Sequence, residues 1–306
     1  MTTAILFPGQ GSQSVGMIAG FSDLPVVRDT FAEASGLLGE DLARLVEEGP
    51  AEALARTVVT QPLMLTAGVA CWRAWRELGG PMPARFAGHS LGEYTALVAA
   101  GALDFAEALP LVRLRATAMQ EAVPEGTGGI AAIVGLDDAL LEGVCAEAAQ
   151  GEVVEPANLN SPGQVVVAGH RAAVERAMAL AKAKGAKIVK MLPMSAPSHC
   201  SLMKPAAERL AAALERVALR APAVPVLQNA DVEAFDDPDR IKRALVEQLW
   251  RPVRWIEIQR RLEALGTTRL VECAPGKVLA GLAKRTVPAL AAAAVTDSAA
   301  LRAALA

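Results

Sequence analysis

Gly88-His89-Ser90-Leu91-Gly92 carries the pattern G-x-S-x-G, in which a serine is turned outward where a strand gives way to a helix. The flanks supply that context, since residues 85–87 are strand-like and the run 94–101 is helix-like. A hydroxyl presented this way can attack an acyl carbonyl. The Leu91 N–H behind it would sit at a helix start, where an unbonded donor and the positive dipole end suit a developing oxyanion. Glycine on either side matters because a turn this sharp leaves no room for a Cβ on the near neighbours. The alternative is a glycine-rich turn whose Ser90 only caps the helix.

Three further places hold side chains that could serve such chemistry. Gly9-Gln10-Gly11-Ser12-Gln13 follows a short apolar run, residues 4–7, that stops at Pro8, so a tight loop could aim Gln10 at the carboxyl end of a strand. It lacks the spacing of a phosphate-binding loop, and the competing reading is a plain polar loop. Arg113 and Arg115 lie on one expected helix, begun by Asp104 as N-cap. Two positions apart, they point roughly 200° from each other, so one of them must turn toward the protein. A buried guanidinium needs an anion, and a structural carboxylate is favoured over a substrate carboxylate. His199, in Ser198-His199, opens a helix expected to run to about Arg216. A lone histidine is usually structural, yet this one stands where the chain returns from what reads as an inserted unit.

Positioning these groups calls for an alternating β/α chain. The 306 residues are 53% apolar and 21% charged with a formal net charge of −3, enough for one large domain or two and unsuited to general binding of nucleic acid or membrane surface. Cys71, Cys145, Cys200 and Cys273 have no C-x-x-C spacing and the three histidines do not cluster with them, so neither a disulfide framework nor a metal site is indicated. The N-terminus has no basic, cleavable apolar segment, and the chain is expected to be cytoplasmic. Helical patterns cover 26–45, broken near 36–39, and 62–78. Between 125 and 197 the order is strand 129–134, helix 138–149, strands near 153–154 and at 164–168, helix 172–184 and strand 187–192. That is βαββαβ, the order of ferredoxin-like units, bracketed by Pro/Gly-rich joints at 124–128 and 193–197. Residues 1–124 and 198–306 form the larger α/β domain, completed by strands at 224–228, 269–273 and 292–295. From 169 to 204 the chain holds seven basic residues against the single acid Glu175, either a docking face for an acidic partner or a solvated one.

Taken in order, Pro-Gly-Gln-Gly-Ser-Gln at 8–13, Gly-His-Ser-Leu-Gly-Glu-Tyr at 88–94, Arg115 before Met119-Gln120, Asn-Ser-Pro-Gly-Gln at 160–164 and Ser-His at 198–199 resemble the malonyl-CoA:acyl carrier protein transacylases over nearly the whole chain. The resemblance implies an α/β-hydrolase-like core with an inserted ferredoxin-like subdomain. It implies ping-pong transfer of a malonyl group from malonyl-CoA to the phosphopantetheine thiol of acyl carrier protein, through a malonyl-serine ester, in the service of fatty acid synthesis and without a cofactor. In that scheme Ser90 is the nucleophile and His199 its base. Gln10 and the Leu91 N–H line the oxyanion hole, and Arg115 holds the malonyl carboxylate. Asn160 belongs to the substrate site, and a backbone carbonyl in the 248–250 stretch, at Gln248, orients the histidine in place of a carboxylate. Leu91 and Ser198 resemble the malonyl-selective members. Because carrier proteins are strongly acidic, docking is assigned to Arg171, Lys182, Lys184, Lys187 and Lys190. The rival readings are a serine esterase or thioesterase, which would give the acyl group to water, and a scaffold that has kept the fold without the chemistry.

Overall fold

In the computed structural model, which describes residues 1–194 and 196–306, two sheets divide the chain. The larger is wholly parallel and contains β1 (Thr3–Phe7), β2 (Arg85–Gly88), β7 (Val226–Leu227), β8 (Arg269–Cys273) and β9 (Ala291–Val295), in the order β7-β2-β1-β8-β9. The inner positions of its central strands are largely apolar because both faces are covered, as parallel sheets require; the exception is the buried Glu272 in β8, whose carboxylate accepts from the Ala280 N–H at 2.8 Å. Ile5, Phe7, Phe86 and Val271 pack under the helices Pro25–Leu38, Thr57–Glu77, Gly92–Ala99 and Phe105–Glu121. The alternate residues Ala4, Leu6, Ala87 and Leu270 face Trp255, Ile258 and Leu262 on the helix Trp255–Ala264 and Leu279 and Leu282 on the helix Val278–Thr286.

The smaller sheet is antiparallel: β3 (Gly128–Val134), β4 (Val154–Ser161), β5 (Gln164–His170) and β6 (Ile188–Met191), ordered β4-β5-β3-β6. With the helices Asp138–Ala149 and Arg171–Ala183 this is a βαββαβ unit inserted into the α/β core. Both helices pack on the face carrying Ala131, Ile133, Val165 and Val167. The opposite face, with Ile130, Ala132 and Val166, looks into a cleft shared with the large sheet. The two bodies are pinned by backbone bonds from Leu159 N–H to Val253 O (2.9 Å) and from Val253 N–H to Ala157 O (2.9 Å).

Several elements depart from expectation for local reasons. β4 runs to Ser161 rather than lying near 153–154; it holds Pro156 because it is an edge strand with a register shift between Pro156 and Asn158. The helix expected at 62–78 begins at Thr57 and carries Pro62 in its second turn, packed under the sheet-covering core that overrides the local penalty. β7 is only Val226–Leu227. After His199 the chain makes a 3-10 turn, Ser201–Met203, before a helix that ends at Leu214. Asp104 stands at the N-cap but makes no cap bond with its side chain; the carboxylate pairs with Arg220 instead. Residue 195, within the joint expected at 193–197, lies outside the described residues.

Core elements come to backbone contact under the serine turn. A Cβ on Gly92 would lie 2.0 Å from the carbonyl oxygen of Phe7, at the end of β1, and one on Gly88 would lie 1.9 Å from the Gly92 backbone. Backbone cannot yield as a flexible side chain can. Gly92→Ala is therefore expected to lower stability by about 3 kcal/mol or more, read as the shift in the urea-unfolding midpoint; a midpoint unchanged from wild type would contradict this packing.

Candidate active site

β2 ends at Gly88, and Ser90 follows with φ +52°, a left-handed conformation that a serine adopts only when its surroundings hold it there. The turn places Oγ 2.7 Å from Nε2 of His199. His199 also has positive φ, +62°, and its own amide donates to Leu249 O at 2.9 Å. Its Nδ1 lies 2.7 Å from the carbonyl oxygen of Gln248. A carbonyl can only accept, so Nδ1 carries the proton and Nε2 offers its lone pair to the serine hydroxyl. Behind the histidine, the Glu155 carboxylate on β4 accepts from the Ser201 N–H (2.8 Å) and hydroxyl (2.7 Å), which ties the segment to the small sheet.

Burial sets the charge state. His199 is 2% exposed, and burial, then the neighbouring Arg115 charge, push its pKa down to about 3 against the bond to the Gln248 carbonyl. The imidazole is neutral, as a base toward the serine must be.

Arg115 sits 1% exposed while Arg113 takes the outer face of the same helix in an ion pair with Glu40 (2.6 Å). The expected structural carboxylate is absent: among the described residues no acid pairs with Arg115. Neutral groups hold it instead. Nη1 donates to Gln61 Oε1 (2.6 Å), and Nη2 donates to Gln248 Oε1 (2.9 Å) and lies 3.3 Å from Ser90 Oγ; the guanidinium lies 5.5 Å over the Tyr94 ring and its Nε has no partner. The nearby carboxyl of Glu93 is pushed up to about 8 by burial, against the Asn229 N–H, the Gln248 side chain and the Arg115 charge, and so supplies little negative charge at neutral pH. Burial also lowers the Arg115 pKa, but a guanidinium remains protonated throughout the working range.

These groups line a cleft of about 480 Å³ between the sheets. Gln10 and Leu91 are in its wall; the Leu91 N–H has no protein acceptor among the described residues, and Gln10 Nε2 lies 3.4 Å from Thr57 Oγ1. Asn160, on β4, stands 2.8 Å from His89 Nε2 through its Oδ1, and Ser198 is beside His199 in the same cleft. Gln248 contributes more than the carbonyl expected of it, since its side chain also donates to Ser90 O at 3.0 Å. Gln61, Glu93 and Asn229 are site residues to which sequence reasoning gave no role; Gln61 fell one residue before the expected helix start, Glu93 stands in the quoted 88–94 motif but was assigned nothing there, and an isolated amide such as Asn229 carries no spacing signal.

The basic stretch is split by the fold. The Arg171–Ala183 helix covers the small-sheet face turned away from the cleft, and Lys184, just beyond its end, pairs with Glu147, while Arg171 pairs with Glu175. Lys190 on β6 is in register with Ala132, a cleft residue, and shares its face.

A hydroxyl on a neutral buried imidazole, beside an amide donor with no protein acceptor and a guanidinium with no carboxylate partner among the described residues, is equipment for acyl transfer through a serine ester. Residues 5–301 match the family described as acyl transferase domain, and the chain belongs to that family. It is 56% identical to the malonyl CoA-acyl carrier protein transacylase of Salmonella typhimurium strain LT2 over 303 residues, 99% of this chain and 98% of that one. It superposes with a TM-score of 0.98 on the crystal structure of an acyl-carrier-protein S-malonyltransferase from Burkholderia pseudomallei 1710b, at 55% identity over 100% of this chain and 99% of the other. With the same TM-score, 53% identity and the same coverage, it matches a malonyl-transacylase solved in complex with its type II PKS acyl-carrier protein. No helix among the described residues is long and apolar enough to cross a membrane.

The depressed His199 pKa fixes a pH profile. The neutral form is lost only as pH falls through the folded value of about 3, well below the ordinary 6.5, so Nε2 keeps its lone pair toward the Ser90 hydroxyl in mild acid. The rate at which a serine-directed sulfonyl fluoride modifies Ser90 should stay level from neutrality to about pH 5. An acid limb centred near the ordinary imidazole value would contradict this environment.

Proposed function

We propose that this protein transfers the malonyl group of malonyl-CoA to the phosphopantetheine thiol of an acyl carrier protein, with Ser90, His199 and Arg115 as its working groups. The observation that carries the reading is the buried Arg115 guanidinium, 3.3 Å from the Ser90 hydroxyl and without a carboxylate partner among the described residues. A substrate carboxylate is the ligand that completes it, and a guanidinium fork takes a carboxylate through charge-assisted hydrogen bonds worth about 1.5–3 kcal/mol each. That requirement selects a dicarboxylic half-thioester over a neutral acyl chain.

With the carboxylate on Arg115, the thioester carbonyl comes to Ser90. His199 Nε2 takes the hydroxyl proton as Oγ attacks, and the oxyanion turns to the Leu91 N–H and the Gln10 loop. The histidine then returns its proton to the departing CoA thiolate, leaving a malonyl-serine ester. The carrier thiol repeats the sequence in reverse: His199 accepts its proton, the thiolate attacks the ester, and Ser90 recovers the proton. Gln61 and Gln248 keep the guanidinium aimed, and Asn160, held near His89, contacts the pantetheine side of the cleft. Residues 125–197 act as the small subdomain that closes the cleft from above. The product feeds fatty acid synthesis, and a cytoplasmic location belongs to the same proposal, because both substrates are made and used inside the cell. Of the five basic residues assigned to docking, only Lys190 is in register with a strand position that faces the cleft, so the carrier is steered by that rim more than by the distal helix.

Intact-mass measurement after mixing with malonyl-CoA tests this directly. A malonyl adduct should form, disappear in Ser90→Ala, and discharge faster with holo carrier protein than in buffer; Lys190→Glu should slow only the discharge. An adduct that survives Ser90→Ala, or malonate released to water as fast as to the carrier, would overturn the reading in favour of another nucleophile or a thioesterase.

A further inference from the structure

Asn229 lies at the carboxyl end of the large sheet, two residues after β7, and is fully buried. Every polar atom of its side chain is spent on the serine turn. Oδ1 accepts from the Ser90 N–H at 2.6 Å, and Nδ2 donates to Gly88 O at 2.7 Å. The residue itself is fixed at both backbone atoms: its N–H donates to Glu93 Oε2 at 2.7 Å and its carbonyl accepts from the Arg254 N–H at 3.2 Å. Glu93 is in the first turn of the helix that follows Ser90, so the loop after β7 and the serine turn are bound to each other at three points.

The geometry points to Asn229 as a positioning residue for the acyl-transfer step, holding Ser90 in its left-handed conformation and withdrawing the Ser90 N–H from the oxyanion so that the Leu91 N–H is the free donor. The chemistry of the amide explains the choice of residue. β2 ends at Gly88 and β7 at Leu227, and their pairing stops at Ala87 opposite Leu227, so among the described residues no neighbouring strand pairs with the Gly88 carbonyl and the Ser90 amide. A donor and an acceptor on separate atoms of one planar amide replace that missing strand; a serine or threonine hydroxyl carries both on a single oxygen, and an ionised aspartate can only accept. Gln248 Nε2 pins the Ser90 carbonyl from the other side at 3.0 Å, so the peptide groups on both flanks of the strained residue are held. A serine left free to relax from φ +52° would carry Oγ off the line to His199 Nε2, and sub-ångström to ångström errors of this kind cost reaction rate rather than substrate affinity.

The inference rests on Ser90 being the acyl acceptor, and its test separates the two claims. Single-turnover acylation by malonyl-CoA, followed by rapid quench and intact mass on folded protein, gives a maximal rate and a half-saturating concentration. For Asn229→Ala the maximal rate should fall about 10- to 100-fold with half-saturation within about twofold of wild type, because Arg115 and the cleft are untouched. A maximal rate close to wild type, or a loss confined to half-saturation, overturns the positioning role. A wild type that is never acylated sinks the acyl-transfer reading and this inference with it. Hydrogen exchange on the unmodified protein gives a check that needs no variant: the Ser90 amide should exchange at least about tenfold more slowly than the Leu91 amide, and equal rates would overturn the assignment even if Asn229→Ala does not fold.

Discussion

A cation buried without an anion is the constraint to which the rest of this structure answers. Taking a guanidinium out of water is costly unless charge or hydrogen bonds replace the solvent. Here the replacement is partial: two glutamine oxygens, an aromatic face and the Ser90 hydroxyl surround Arg115. Among the described residues no acid pairs with it: the carboxylate on the outer face of the same helix, Glu40, belongs to Arg113, and Glu93, though close, is largely protonated by burial at neutral pH. A fully paired Arg115 would have no affinity left for a ligand. Its charge has a second effect, because it helps to keep His199 neutral and thus ready to accept a proton.

Holding a cation, an imidazole and a strained serine within hydrogen-bond reach needs a frame that does not give. Gln248 meets all three: its carbonyl at His199 Nδ1, its Oε1 at Arg115 and its Nε2 at the Ser90 carbonyl. The glycines at 88 and 92 let β1, β2 and the helix after Ser90 close to backbone contact. The Glu155 bonds to Ser201 and the paired bonds of Val253 with Ala157 and Leu159 extend the same frame to the small sheet, so that the cleft has two fixed walls.

Much of this was legible in the sequence because it is written locally. The serine turn is a five-residue pattern with flanks of the right texture, the βαββαβ order follows from alternating apolar periods, and the opposed directions of Arg113 and Arg115 follow from helical geometry. What escaped was long-range or tertiary. Pro156 in β4 reads as a strand breaker unless the strand is known to lie at an edge, and Pro62 reads as a helix start unless the packing around its helix is known. The buried guanidinium was expected to find a structural carboxylate; that none pairs with it among the described residues depends on tertiary burial, which also raises the pKa of the nearby Glu93, and no single stretch records it. The basic run at 169–204 looked like one surface, yet the sheet beneath it sends the helix and β6 to different sides. Asn229 and Gln61 gave no sign at all, being single amides whose partners are 139 and 54 residues away.

If Arg115 is kept unpaired for the sake of a substrate carboxylate, its loss must fall on malonyl-CoA far more than on acetyl-CoA. The decisive quantity is the ratio of kcat/KM for the two thioesters in Arg115→Ala against wild type, since the serine chemistry common to both cancels. Removing even one charge-assisted hydrogen bond should lower that ratio by about 10- to 150-fold. A ratio unchanged from wild type would mean that Arg115 supports the fold and leaves selection of the substrate to other groups.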